Sequence, residues 1–148
     1  MTSHVFRRTP AAAAILALSA PAWAAGPNQI NLVERATSDA VLDTGVQGDS
    51  AGDILTFANE MYDEANAAKV GDNNGWCIRT VVGKAWECFW TLSLEKGQLT
   101  VEGPFYDSGD SVLAITGGTG EFAGALGEMA LSARGTDGKA YNFTYRIK

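Results

Sequence analysis

One histidine and two cysteines are all that 148 residues supply of the side chains that most often carry acid–base catalysis and soft-metal binding. The histidine, His4, falls in a removable leader. The mature protein therefore has no histidine for a Ser-His-Asp triad, for proton shuttling or for a His-based metal site. Cys77 and Cys88 are too few for a disulfide framework. Basic charge is scarce and scattered: 11 Lys and Arg stand against 17 Asp and Glu, a formal charge of −6. That excludes the electrostatic footprint of a nucleic-acid binder and a polybasic patch for anionic lipid. Long apolar runs are absent too. The best candidate, residues 11–20, is too short to span a bilayer and is interrupted by Pro21, so no membrane insertion is expected. By elimination, small or neutral partners are favoured.

What the first residues do contain is an export signal. Arg7 and Arg8 form a basic n-region, Ile15, Leu16 and Leu18 lie in the apolar run, and Ala22-Trp23-Ala24 places small residues at both cleavage-determining positions. Residues 1–24 read as a signal peptide, with residues 25–148 as one mature domain, periplasmic or secreted. Removing the leader takes the formal charge from −6 to −8, since it carries two basic residues and no acid.

From Ile30 onward the signal is period two, with turn chemistry between segments. Trp86, Cys88, Trp90, Leu92 and Leu94 alternate with polar or outward residues, and Tyr141, Phe143, Tyr145 and Ile147 repeat the pattern. Eight strands are expected, at residues 30–36, 53–58, 76–82, 86–94, 98–103, 112–116, 126–133 and 140–147. Residues 59–68 read as a loop with a helical turn, and Asp72-Asn73-Asn74-Gly75 as a turn without the remaining ligands of a calcium loop. Asp137-Gly138 suits a type I′ hairpin. Eight short antiparallel strands without long helices give an all-β fold, a barrel or a sandwich; an eight-stranded antiparallel barrel removes the edges and leaves an interior that can hold one small ligand.

Three motifs carry weaker signals. Thr116 to Ala123 contains G-x-G-x-x-A, but the segment beyond it alternates as a strand instead of opening a helix, so a tight corner is expected over a dinucleotide site. Asn142-Phe143-Thr144 is a glycosylation sequon inside a strand. Alternation puts Arg79 on the face of Cys77. On an interior face its guanidinium needs a carboxylate or a polar ligand; on an exterior face it is an ordinary surface residue. With the hairpin turn taken at Gly83-Lys84-Ala85, Cys77 and Cys88 are offset along the ladder, and no disulfide between them is expected.

Several blocks resemble the allene oxide cyclase family and, more distantly, the dirigent proteins. They are Gly52 to Asn59 with Tyr62 behind it, Val70-Gly71 followed by Gly75-Trp76-Cys77, Leu99 to Phe105, and Asp110 to Phe122. The resemblance implies a trimeric eight-stranded barrel with an apolar cavity. Its plant members cyclise an unstable fatty-acid allene oxide without a cofactor, mainly by restricting conformation. By position it marks Asn59 as a water-holding hydrogen-bond donor and Cys77 as a cavity-lining residue, the two candidate catalytic residues. Phe57, Arg79 and Phe105 are the candidate substrate-binding residues; no metal and no cofactor are expected. An ungapped match puts Asn31 where the family has its cavity glutamate, with Glu34 on a different position, and Asp39 and Ala40 where it has a serine–proline pair. The expected function is a cofactor-free cyclase or isomerase for an apolar, oxygenated, fatty-acid epoxide-like substrate. The alternatives are a dirigent-like or ligand-carrying barrel and a purely structural exported trimer.

Overall fold

The structure is a computed structural model that describes residues 29–148; the leader and its cleavage site lie outside the described residues. Nine strands follow in chain order: β1 (Gln29–Arg35), β2 (Ala40–Leu42), β3 (Ile54–Asp63), β4 (Lys69–Val81), β5 (Ala85–Leu94), β6 (Gly97–Tyr106), β7 (Ser111–Gly118), β8 (Gly127–Ala133) and β9 (Ala140–Ile147). From β3 to β9 each strand pairs antiparallel with the next. β1 pairs with β9 on one side and with β3 on the other, which closes an eight-stranded antiparallel barrel. The expected architecture is the observed one.

The ninth strand was not anticipated from the sequence, and it shapes the barrel's open end. β1 runs against Glu60–Asp63 of β3, and β2 runs against Ile54–Thr56 of the same strand. The two are halves of one wall, broken at residues 36–39. The break is closed by a side chain instead of a ladder. Asn59 Oδ1 accepts from the backbone N–H of Thr37 and of Ser38, both at 3.0 Å, and from Ser38 Oγ at 2.9 Å, while Ser38 Oγ accepts from Ala58 N.

Strict alternation fills the interior. Met61, Leu92, Leu99, Val101, Met129 and Tyr145 have no exposed surface, and Phe143 is almost as deeply buried. They form one continuous apolar core.

Local readings failed where interior packing overrode turn propensity. β3 continues through Asn59 to Asp63, and β4 begins at Lys69, so residues 59–68 hold a strand and a short turn, not a helical loop. That turn is tied by Asp63, whose carboxylate accepts from Ala67 N at 2.7 Å, with Asn66 at φ 58°. Asp72 to Gly75 is not a turn but the middle of β4. Gly75 is required there by close approach, since a Cβ would stand 2.4 Å from Trp90 Cβ and 2.8 Å from Phe57 Cζ. The Asp137-Gly138 loop does join β8 to β9, but six residues lie between the strands, and of the Asp-Gly pair only Gly138 takes a positive φ. The glycine motif is the expected corner, in which β7 leads into a single 3₁₀ turn, Gly120–Phe122.

The largest correction concerns the cysteines. Cys77 and Cys88 stand directly opposite each other on β4 and β5, with Cα atoms 4.0 Å apart, and are joined in a disulfide. The turn is centred one residue earlier than expected, on Gly83, because Val81 pairs with Ala85. A bulge between Arg79 and Val81 then removes one further residue from the register. Together these shifts bring the two sulfurs to one rung of the ladder.

Candidate functional site

The open end of the barrel holds a cavity lined by ends of β1, β3, β4, β5, β6, β8 and β9. Its empty volume is about 380 Å³ with the mouth included, although only about 50 Å³ of this admits the centre of a water molecule. Phe57, Trp90, Phe105, Tyr141 and Phe143 form most of its wall, with Leu55, Leu131 and Cys77. Phe57 meets Trp90 edge-on with ring centres 5.9 Å apart, Trp90 stacks on Phe143 at 5.7 Å, and Phe105 meets Tyr141 edge-on at 6.0 Å. Interlocked rings of this kind hold a shaped apolar surface.

Two carboxyl groups face this aromatic wall. Glu34 is 6% exposed and sits at the inner end of β1. Its Oε1 accepts from Asn73 Nδ2 at 2.9 Å and from Asn59 Nδ2 at 3.3 Å. Its Oε2 has no protein partner among the described residues. Burial raises the Glu34 pKa from 4.5 to about 7, against the two amide donors that favour the anion, and nearby Asp39 pushes in the same direction as burial. Asp39 stands exposed at the mouth and accepts the second Asn59 N–H at 2.8 Å. One amide thus bridges a buried carboxyl that carries a proton near neutrality and a carboxylate at the solvent edge. Deeper in, Asn73 Oδ1, Trp90 Nε1 and Tyr145 Oη are buried without a well-formed hydrogen bond, and burial holds the Tyr145 phenol far above its ordinary range.

The structure brings Asn59, Cys77, Phe57 and Phe105 to this cavity. Asn59 has no free donor, because both its N–H groups serve carboxylates and its oxygen holds the β1–β2 break. Cys77 presents a disulfide sulfur instead of a thiol. Arg79 is buried on the interior face but does not line the cavity. Its guanidinium meets Asp107 at 2.7 Å and Asp49 at 2.6 Å and lies 3.9 Å over the Trp86 ring, so protein carboxylates balance its charge, although Nε makes no well-formed hydrogen bond.

Asn31 does not line the cavity. It is half-buried near the opposite end and donates to Glu64. The missed residue is Glu34, and the signal was present in the chain. Ile30 and Leu32 pack into the core, and the same parity carries Glu34 inward and Asn31 outward.

With this geometry in view, comparison with known proteins is decisive at the level of family. A sequence profile described as allene oxide cyclase matches residues 28–143. The chain belongs to the allene oxide cyclase family. Among solved structures, a protein named pyocyanin demethylase is 27% identical, covering 78% of this chain and 97% of that one with a TM-score of 0.68. A pterocarpan synthase dirigent protein is 15% identical over 80% of this chain and 91% of that one, with a TM-score of 0.65. An exo-specific intermolecular Diels-Alderase is 14% identical over 80% and 96%, with a TM-score of 0.66. At 14–15% identity the last two show the shared barrel.

Proposed function

We infer that this member of the allene oxide cyclase family is a cofactor-free cyclase or isomerase. It takes an apolar, oxygenated small molecule, of the kind a fatty-acid epoxide exemplifies, into the aromatic cavity and steers it to one product. The observation that carries this reading is Glu34, a buried carboxyl with a pKa of about 7 and one unpartnered oxygen in an apolar cavity. In its neutral form Glu34 can protonate or hydrogen-bond an oxygen where negative charge develops. In its ionised form it can stabilise a delocalised cation. Asn59 acts as a positioning residue, orienting Glu34 and Asp39. The rings restrict the substrate's conformation, which supplies rate and stereochemistry.

Allene oxide cyclises spontaneously to a racemic product, so chiral chromatography provides the test, with free acid and methyl ester both offered. We expect an enantiomeric excess with wild type that falls on Glu34→Gln and on Asn59→Leu. A racemic product at saturating protein would put the dirigent-like carrier ahead. The neighbour named pyocyanin demethylase, at 27% identity, supports an aromatic ligand as an alternative occupant of the same wall.

Export and assembly complete the proposal. A disulfide persists in an oxidising compartment, so Cys77–Cys88 supports export. An intact mass beginning at Ala25 is expected, and one retaining Trp23 would refute the cleavage site. The outer wall exposes Trp76 and Ile78, at 44% and 38%, which supports burial in a homotrimer. Light scattering should give three times the chain mass, and a monomer mass would contradict it.

A further inference from the structure

The cavity is lopsided in charge. Glu34 and Asp39 line it, and no Lys or Arg does among the described residues. Arg79, buried on the inward face of β4, is held by Asp49 and Asp107 and lies over Trp86, and that group of three charges is itself net negative. Lys84 and Lys139 stand on neighbouring hairpin tips, where their backbone carbonyls accept from Asp107 and Ala36, and neither lines the cavity. The remaining wall is five aromatic rings together with Asn59, Cys77, Leu55 and Leu131. Ring faces attract cations and repel anions, and do so more strongly where water is excluded. A carboxylate entering this space would meet Asp39 at the mouth, Glu34 at the base and ring quadrupoles between them, with no cation to receive it.

We propose that the cavity selects planar cationic aromatic ligands over their neutral counterparts and rejects carboxylate-bearing ones. This rests on the reading above that the cavity is the ligand site; it adds the charge class of an aromatic occupant and implies that the epoxide-like substrate of that reading enters uncharged, as an ester and not as a free carboxylate. Glu34 and Asp39 supply the counter-charge, Phe57, Trp90 and Phe143 the stacking surface. Among the described residues, the other titratable groups facing Glu34 are Asp39 and the phenols of Tyr141 and Tyr145, so ionisation of Glu34 governs the pH dependence of cation binding.

Three probes of one shape separate the outcomes by calorimetry on the intact protein near pH 8, where Glu34 is ionised: N-methylacridinium, acridine and acridine-9-carboxylate. We expect the cation to bind about tenfold tighter than acridine and the carboxylate to bind weakest. N-methylacridinium should weaken as pH falls toward about 6, where Glu34 takes up its proton. Glu34→Gln should abolish that pH dependence, and Asp39→Asn, at an exposed position, should narrow the gap between cation and neutral probe. Equal affinity for all three probes, or tighter binding of the carboxylate, overturns the charge selectivity while leaving a steering cavity intact. If no probe binds while Glu34→Gln still abolishes the enantiomeric excess, the planar-cation class is wrong and the cyclase reading stands.

Discussion

Toward Met61, Leu92 and Leu99 the barrel interior is closed, and these side chains have no exposed surface. Toward Phe57, Phe105 and Tyr141 it is open, and the same inward parity delivers Glu34 and Asn59 to an aromatic-walled cavity. Both halves are built by one rule, alternation along antiparallel strands. What distinguishes them is a broken wall. From Leu32 to Arg35 β1 is laddered on both sides, whereas beyond it the chain leaves the ladder at residues 36–39 and β2 resumes the pairing with β3. A polar side chain must patch that gap. The patch, Asn59, is also what holds the two carboxyls together, so the defect in the sheet and the chemistry of the site have one cause.

The difference can be probed by truncation and titration. Leu92→Ala, in the filled half, should cost about 4 kcal/mol in denaturant unfolding, because close packing on all sides limits collapse around the lost volume. A cost below about 1 kcal/mol would mean that the closed half is not packed as described. The next largest effect is electrostatic. Glu34 has a folded pKa of about 7 against 4.5 ordinarily, so the native state holds the proton more tightly than the unfolded chain. Its contribution to stability is fully present below about pH 4.5 and is lost as pH rises toward 7, by about 3 kcal/mol in total. Glu34→Gln should remove that slope and be more stable than wild type above neutrality. A slope unchanged by the substitution would assign it to other groups.

The closed architecture was legible because parity needs only residue type. Trp86 to Leu94 and Tyr141 to Ile147 alternate cleanly, and both segments are strands at the expected positions. The site was less legible. Asn73 and Gly75 look like turn residues and become strand interior only because Glu34, Trp90 and Phe57 require their amide and their missing side chain. An ungapped family match drew attention to Asn31, while the local parity of Ile30 and Leu32 is what carries Glu34 into the cavity. The cysteine pair was misread by register alone, where one turn residue and one bulge separate a free thiol from a disulfide. β2 was invisible because three exposed residues carry no alternation to read.

Two smaller effects sharpen the comparison. The disulfide lies on the wall between the halves, and replacing both Cys77 and Cys88 by Ala should cost about 2–3 kcal/mol by the loop-entropy estimate for its 11-residue separation. Thiol titration of the unfolded, unreduced protein should find no free thiol, and finding two would restore the offset register. Phe105→Ala, in the open half, should cost only about 1 kcal/mol, because that ring is partly exposed and faces the cavity. Its larger effect should be on ligand binding. A cost equal to that of Leu92→Ala would erase the distinction between the halves.

The most direct test of the central claim is the titration of Glu34 itself, followed through the side-chain carboxyl carbon by NMR and assigned by its loss in Glu34→Gln. The account predicts a midpoint near 7, with the buried carboxyl still largely protonated below neutrality and the Asn59 side-chain amide resonances shifting with it. A midpoint near the ordinary 4.5 would contradict it, leaving the cavity without the proton on which the proposed chemistry depends.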